Sequence, residues 1–157
     1  MADFSSHDIQ HMQRVLELAQ RGRETVAPNP MVGCVIVKGE LIIGEGWHER
    51  YGEAHAERNA VGTVADPTEL AGSTVYVNLE PCAHYGKTPP CCDLLIDHRV
   101  ARVVISNLDP NPLVDGAGVQ RMRQAGIQVN IGLLSSESRQ LNQAFFGRFA
   151  SSSLASS

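Results

Sequence analysis

The first part of the chain carries two patterns of apolar residues. After residue 6, apolar side chains recur at intervals of three and four positions, at Ile9, Met12, Val15, Leu16 and Ala19. This spacing predicts an amphipathic helix that covers a sheet. Residues 32–37 and 41–47 are instead continuous apolar runs rich in β-branched side chains, joined by a short turn that contains Gly39. Two such runs around a glycine turn predict a β-hairpin.

Helical and extended patterns alternate over the rest of the chain. The predicted helices are 55–65, 91–98, 116–125 and 135–149, and the predicted strands are 74–79, 100–106 and 127–131. This order predicts an α/β fold with three α/β/α layers and a mixed five-stranded sheet. The hairpin is expected to be antiparallel and the later strands largely parallel. We assign the domain to residues 1–150 and expect the Ser/Ala-rich residues 151–157 to be a disordered tail.

Three side chains that bind zinc well lie at the starts of predicted helices or at the end of a predicted strand. They are His55, Cys82 and Cys91. One imidazole and two thiolates suit Zn²⁺, and three protein ligands leave a fourth position open, as in catalytic sites. Cys92 is a competing ligand, but a helix turns about 100° per residue, so only one of the two adjacent cysteines can face the metal well.

Glu57 lies two residues after the candidate ligand His55. Zinc lowers the pKa of a bound water to about 7, which provides a nucleophile at neutral pH. A carboxylate beside it can take a proton from that water and pass protons to a substrate. These residues together predict a zinc-dependent hydrolase in which Glu57 is the proton shuttle.

Composition narrows the class of protein. The chain has 157 residues, a net charge of −4 and four cysteines. An acidic balance disfavours nucleic acid as a partner. No window reaches the roughly 18 apolar residues of a membrane span, and residues 1–8 lack the features of a secretion signal, so we expect a cytoplasmic protein that does not bind membranes. Four cysteines, two of them adjacent, suit metal binding in a reducing compartment better than a disulfide framework.

Several polar residues flank the predicted strands. Asn29 lies between two prolines, which hold the backbone extended or turned, so its amide could bind substrate or satisfy its own loop. His48 follows the hairpin and could touch substrate or be structural. Asp109 and Asn111 follow the strand 100–106, at the edge where α/β sheets bind ligands, although they also suit a tight turn.

Four motifs resemble the deaminase domain of the bacterial riboflavin biosynthesis protein family. The strings are Pro28-Asn-Pro-Met-Val-Gly33, His55-Ala-Glu57, Leu79-Glu-Pro-Cys-Ala-His-Tyr-Gly-Lys-Thr-Pro-Pro-Cys91 and Asp109-Pro-Asn-Pro112. Other zinc-dependent base deaminases share H-x-E but have two residues, not eight, between the cysteines. The resemblance implies a cytidine deaminase-like fold, zinc bound by His55, Cys82 and Cys91, and a catalytic Glu57. It also implies a substrate pocket formed by Asn29, His48, His84, Lys87, Thr88, Asp109 and Asn111.

The family resemblance also implies a substrate and partners. The substrate would be 2,5-diamino-6-ribosylamino-4(3H)-pyrimidinone 5′-phosphate, with His84 and Lys87 close to its phosphate; a solvated Lys87 is the alternative. A reductase, fused or separate, and self-association of the chain are implied too.

The chain departs from the family pattern at two places. Asn78 stands where the family more often has a small hydroxyl residue, and the Gly116–Gly118 segment lacks a basic residue often found there. Alternatives are another nucleobase, nucleoside or tRNA deaminase, or a catalytically silent zinc module that partners a reductase.

Overall fold

The structure is a computed structural model that describes residues 4–83, 88–112 and 114–156, with side chains to residue 149. Its helices are α1 Ser6–Ala19, α2 Ala56–Gly62, α3 Cys91–Asp97, α4 Ala117–Gln124, α5 Ser135–Leu141 and α6 Gln143–Ser156. Its strands are β1 Gly33–Lys38, β2 Leu41–Trp47, β3 Thr74–Leu79, β4 Arg102–Asn107 and β5 Gln128–Ile131. Short 3-10 turns occur at Gln20–Gly22 and Pro67–Leu70.

The five strands form one mixed sheet in the order β2-β1-β3-β4-β5. β1 is antiparallel to β2 and β3, whereas β3, β4 and β5 are parallel. Because successive side chains of a strand point to opposite faces, Val35 and Val37 pack with α1, and Cys34 and Ile36 pack on the side of α2, α3 and α4. The predicted three-layer fold with a mixed five-stranded sheet is therefore confirmed.

One continuous closing helix was predicted over residues 135–149, and this prediction is wrong in one respect: the structure has two helices, α5 and α6, with a break at Asn142. The Asn142 side chain leaves the helical pattern to bind a distant backbone segment: Oδ1 accepts from Met31 N at 2.8 Å and Nδ2 donates to Met31 O at 2.9 Å. α6 passes residue 150, the domain end that we assigned, and the disordered tail over residues 151–157 stays a prediction.

Asn78, the buried residue that departs from the family pattern, reinforces the same attachment. Its Oδ1 accepts from Gly33 N at 2.9 Å, and its Nδ2 donates to Met31 O at 3.0 Å. Two side-chain amides from β3 and the α5–α6 junction thus satisfy the backbone just before β1. That backbone carries Asn29, so both amides help to fix a candidate substrate-binding residue.

An ion pair joins α1 to the sheet on the face away from the candidate site. Asp8 is 5% exposed and accepts two hydrogen bonds from the Arg102 guanidinium at 3.0 and 3.1 Å and one from the Tyr76 hydroxyl at 2.6 Å. It also caps α1 through a capping box with Ser5. Burial alone raises the pKa of Asp8, but the bonds from Arg102, Tyr76 and Ser5 outweigh it and lower that pKa to about 2.

The substitution Asp8→Asn is therefore expected to destabilise the protein in a pH-dependent way. The folded-state pKa lies below the unfolded value, so the stabilisation is present above about pH 4 and is lost as the pH falls toward 2. We expect the variant to lose about 2 kcal/mol of unfolding free energy at pH 7, and this difference from the wild-type protein to shrink as the pH falls. Urea unfolding of both proteins at several pH values measures this gap in unfolding free energy. The exposed Asp97→Asn variant is the control, and a gap independent of pH would contradict the account.

Candidate metal centre and active site

The sheet topology brings the ends of four segments to one edge. Because β1 runs antiparallel to β2 and β3, and β3 is parallel to β4, the start of β1 and the ends of β2, β3 and β4 lie side by side. Asn29, His48, Cys82 and Asp109 lie just beyond these strand ends. Residues far apart in sequence are thereby collected around one cavity.

Helix α2 brings two further residues to this edge. His55 is the residue immediately before α2, rather than within its first turn as predicted, and Glu57 is the second residue of the helix. The helix lies very close to β2: a Cβ added at Gly46 would be 2.4 Å from the Ala60 backbone nitrogen. Glycine at this position therefore permits the approach that places His55 and Glu57 beside the sheet.

The donor atoms of His55, Cys82 and Cys91 all lie within 4.8 Å of one another. The His55 Nδ1 atom is 3.8 Å from Cys82 Sγ and 3.4 Å from Cys91 Sγ. In a tetrahedral zinc site with bonds of about 2.3 Å to sulfur and 2.0 Å to nitrogen, the sulfur and nitrogen atoms are about 3.5 Å apart. The spacing of these three atoms fits a zinc ion bound to all of them.

The electrostatics of the two cysteines also suit a cation. A side-chain hydrogen bond from Cys91, opposed by burial and assisted by His55, lowers the pKa of the Cys82 thiol. Cys91, which shares that bond and is buried, has its pKa raised. The Cys91 N–H also donates to Cys82 Sγ at 3.1 Å. Thiolates are the form in which cysteine binds a metal, so a cation bound to both sulfurs would stabilise their deprotonated state.

Cys91, not Cys92, belongs to this cluster. α3 begins at Cys91, directly after Pro90. Cys92 is completely buried in the core between the helices and the sheet. Its sulfur contacts Asp93 at 3.9 Å. The rotation of about 100° between neighbouring helical residues separates the two thiols as expected.

Glu57 is a buried acid beside the cluster, only 4% exposed. Burial, opposed by His55 and assisted by Cys82, raises the pKa of Glu57 to about 7. A carboxyl group that titrates near neutral pH can accept and donate protons with little cost. Its position next to the three ligands suits the predicted proton shuttle.

His48 and Asn29 form a connected pair. Burial lowers the pKa of His48, which favours the neutral form of its ring. His48 Nδ1 lies 3.1 Å from the Ala54 carbonyl oxygen, which can only accept, so Nδ1 carries the proton. Nε2 then accepts from Asn29 Nδ2 at 3.1 Å. The network orients the Asn29 amide and makes its oxygen the atom that can accept a hydrogen bond from a ligand.

A cavity of about 260 Å³ connects these groups. Its walls include Asn29, His48, His55, Glu57, Cys82 and Asp109. Glu80 and Phe145 also line it, and the sequence analysis missed both. Glu80 follows a strand and precedes Pro81-Cys82, which is a signal that we did not use. Phe145 comes from α6, and no pattern in the sequence connects it with the motifs.

Of the four remaining predicted site residues, two are described by the structure and two are not. Thr88 is exposed and Asn111 lies in the turn after β4, where its backbone N–H donates to Asp109 Oδ1 at 3.0 Å. Neither is among the residues that line the cavity. His84 and Lys87 lie outside the residues that the structure describes. The roles given to these four stay predictions, as do those of the other site residues.

Comparison with known proteins places this geometry in a family. The model of the cytidine and deoxycytidylate deaminase zinc-binding region matches residues 5–107. The diaminohydroxyphosphoribosylamino-pyrimidine deaminase of Buchnera aphidicola from Acyrthosiphon pisum is 54% identical over 142 residues, which cover 90% of this chain and 95% of that protein. The riboflavin biosynthesis protein RibD of Escherichia coli is 56% identical over 141 residues, but the chain spans only 38% of its length.

Solved structures agree with the sequence relatives. Acinetobacter baumannii RibD is 47% identical and superimposes with a TM-score of 0.87 over 92% of this chain and 40% of that one. A Thermotoga maritima diaminohydroxyphosphoribosylaminopyrimidine deaminase/5-amino-6-(5-phosphoribosylamino)uracil reductase is 42% identical with a TM-score of 0.88, over 94% of this chain and 43% of that one. Among the described residues, none of the helices is long and apolar enough to cross a membrane.

Proposed function

The chain belongs to the diaminohydroxyphosphoribosylaminopyrimidine deaminases, within the cytidine and deoxycytidylate deaminase zinc-binding family, and we propose that its substrate is 2,5-diamino-6-ribosylamino-4(3H)-pyrimidinone 5′-phosphate. Water replaces the 2-amino group, and the products are 5-amino-6-(5-phosphoribosylamino)uracil and ammonia. The observation that carries this proposal is the buried acid Glu57 beside the three convergent donor atoms of His55, Cys82 and Cys91.

The proposed cofactor is zinc, held by the one nitrogen and two sulfurs of this cluster. When bound, zinc supplies the Lewis acidity that makes water nucleophilic near neutral pH. Three protein ligands leave one position for a small molecule, which is the arrangement of a catalytic site rather than a structural one. A fourth protein donor within the cluster is absent among the residues described, 4–83, 88–112 and 114–156.

Glu57 moves the protons of the reaction. It accepts one proton from the attacking water and delivers it to the ring nitrogen next to the amine-bearing carbon, while a C–O bond forms. It then transfers the remaining hydroxyl proton to the amine, the C–N bond breaks and ammonia leaves as the carbonyl forms. Its pKa of about 7, set mainly by burial, suits both directions of transfer.

Residues around the cavity orient the substrate. The Asn29 amide oxygen, fixed by His48, can accept a hydrogen bond from a ring N–H or amino group. Asp109 and Asn111 suit ribose hydroxyls, and His84 and Lys87 are proposed phosphate contacts on sequence grounds. Thr88, which directly follows Lys87 in the sequence, is also proposed to contact the substrate. These assignments account for a substrate that combines an aminated pyrimidine with a ribose phosphate.

A reductase is the proposed functional partner, because the Thermotoga maritima relative is named as a deaminase together with a reductase. The reductase would consume the product of this chain. We further propose a cytoplasmic location, which suits four cysteines that are all free thiols. Self-association remains part of the proposal on family grounds.

Turnover with the named substrate tests the proposal. Zinc-loaded protein is expected to release one ammonia per pyrimidine converted, measured by a coupled ammonia assay and mass spectrometry of the product. Cytidine, deoxycytidine monophosphate and an adenosine-containing tRNA anticodon stem are the comparison substrates. Preferential turnover of any of these would replace the proposed substrate. Stoichiometric zinc without any turnover would favour a silent zinc module.

A further inference from the structure

Glu80 is a buried carboxylate that binds three backbone N–H groups. It is 4% exposed and follows β3 directly. Its Oε1 accepts from the Asp109 N–H at 3.1 Å and from the Gly116 N–H at 3.0 Å, and its Oε2 accepts from the Val119 N–H at 3.0 Å. Charge-assisted bonds of this kind are stronger than neutral ones, and a buried carboxylate that loses them is left uncompensated.

These three bonds connect both ends of one loop to the same side chain. Asp109 is the second residue after β4 and lines the cavity. Gly116, with φ of 82°, immediately precedes α4, and Val119 lies in the first turn of that helix. The backbone N–H groups at the start of a helix lack partners within the helix, and Glu80 supplies acceptors for two amides in this region.

The contact between Glu80 and α4 is close. A Cβ added at Gly118 would lie 2.2 Å from the Pro81 carbonyl oxygen and 3.3 Å from Glu80 Cγ. The segment Glu80-Pro81-Cys82 thus contacts the first turn of α4. The Glu80 side chain binds the backbone of the Asp109 loop, and the segment ends in Cys82, a proposed zinc ligand. The same three-residue segment thus contacts both the metal cluster and the loop.

We propose that Glu80 is a positioning residue that fixes Asp109 at the distance from the metal cluster that the ribose phosphate part of the substrate requires. Glu80 acts on Asp109 through the backbone, and the Asp109 side chain is oriented further by the Asn111 N–H at 3.0 Å. The inference rests on the proposed function, because it assumes a substrate that carries a ribose. It assigns specificity to a residue that precedes the zinc motif rather than to the motif itself.

A double-mutant cycle tests this inference. Glu80→Gln keeps the size of the side chain but replaces one acceptor oxygen by a donor, and Asp109→Ala removes the group that is positioned. We expect each single variant to raise KM about tenfold, with kcat changed less than about threefold and zinc content unchanged. The double variant is expected to have the KM of one single variant, because coupled residues are not additive. An increase of about a hundredfold, the additive result, would overturn the inference.

Binding of fragments distinguishes positioning from a general loss of stability. In Glu80→Gln, calorimetry is expected to show weaker binding of ribose 5-phosphate and unchanged binding of 2,5,6-triamino-4-pyrimidinone. Asp8→Asn is the matched control, since it alters another buried carboxylate away from the cavity and is expected to change neither affinity. Equal weakening of both fragments would make Glu80 merely structural.

Two further arms keep the result decisive. If Glu80→Gln does not fold, Glu80→Asp takes its place in the same measurements, because it retains the charge with a shorter side chain. An Asp109→Ala variant with unchanged KM and unchanged affinity for ribose 5-phosphate would overturn the inference without any Glu80 variant. Turnover by the wild-type protein is measured separately. Its absence would reject the proposed function, whereas fragment binding would still measure the coupling between Glu80 and Asp109.

Discussion

The substitution Glu57→Gln is expected to lower kcat at least about a thousandfold while the protein keeps its zinc. Glutamine has the size of glutamate, so the fold around this buried position is preserved. An amide can neither accept the proton of the attacking water nor deliver protons to the ring and the departing amine. Stopped-flow turnover and metal analysis of the same sample measure the two effects together.

Glu53→Gln is the matched control for this prediction. Glu53 is an exposed residue of the loop that leads to His55, and its substitution is expected to leave kcat unchanged. Turnover by Glu57→Gln within about tenfold of the wild-type rate would show that another group moves the protons. In that case the proposed mechanism would be wrong even if the substrate were right.

The second large effect is expected from Cys91→Ala, which should abolish stoichiometric zinc binding and, with it, turnover. Cys91 lies in the cluster with His55 and Cys82, and its removal leaves two ligands for the ion. Loss of one of three protein ligands is expected to weaken zinc binding strongly, because binding free energy depends on every coordinating side chain. Zinc content after dialysis and residual kcat measure the loss.

Cys92→Ala provides a comparison at the adjacent position. Cys92 is buried in the core. Its substitution is expected to retain one zinc per chain and to cost about 1 kcal/mol of unfolding free energy, because a small buried side chain is truncated. Loss of zinc from Cys92→Ala with retention in Cys91→Ala would reverse the ligand assignment.

Local patterns predicted most of the elements because each element satisfies its own periodicity. The β-branched runs became β1 and β2, and the helix from residue 6 became α1. The break at Asn142 could not be predicted in this way. It arises from hydrogen bonds to Met31, 111 residues away along the chain. A tertiary contact of that range leaves no mark on the pattern of apolar residues.

The candidate site was predictable in its chemistry and less so in its assembly. The His55, Glu57, Cys82 and Cys91 motif has residue types that reveal metal binding and proton transfer without coordinates. That Asn29 and His48 are neighbours follows from the predicted hairpin, in which the start of β1 lies beside the end of β2. Cys82 joins them only because β3 lies on the other side of β1, and that strand order was not predicted.

Glu80 was overlooked because its partners are backbone amides. Any residue type except proline supplies such an amide, so the sequence around Asp109 and Gly116 carries no sign of the contact. Only the packing of α4 against the end of β3 shows where the carboxylate is directed. The motif that contains Glu80 could therefore mark it as a candidate, but only the structure shows which backbone groups it binds.

The central claim is that His55, Cys82 and Cys91 hold a zinc ion that keeps one position open. X-ray absorption at the zinc edge tests it directly on the metal-loaded protein. The account predicts two sulfur atoms at about 2.3 Å, one histidine nitrogen at about 2.0 Å and one further light atom that changes when a substrate analogue binds. A spectrum with three sulfurs or two histidines, unchanged by the analogue, would contradict it.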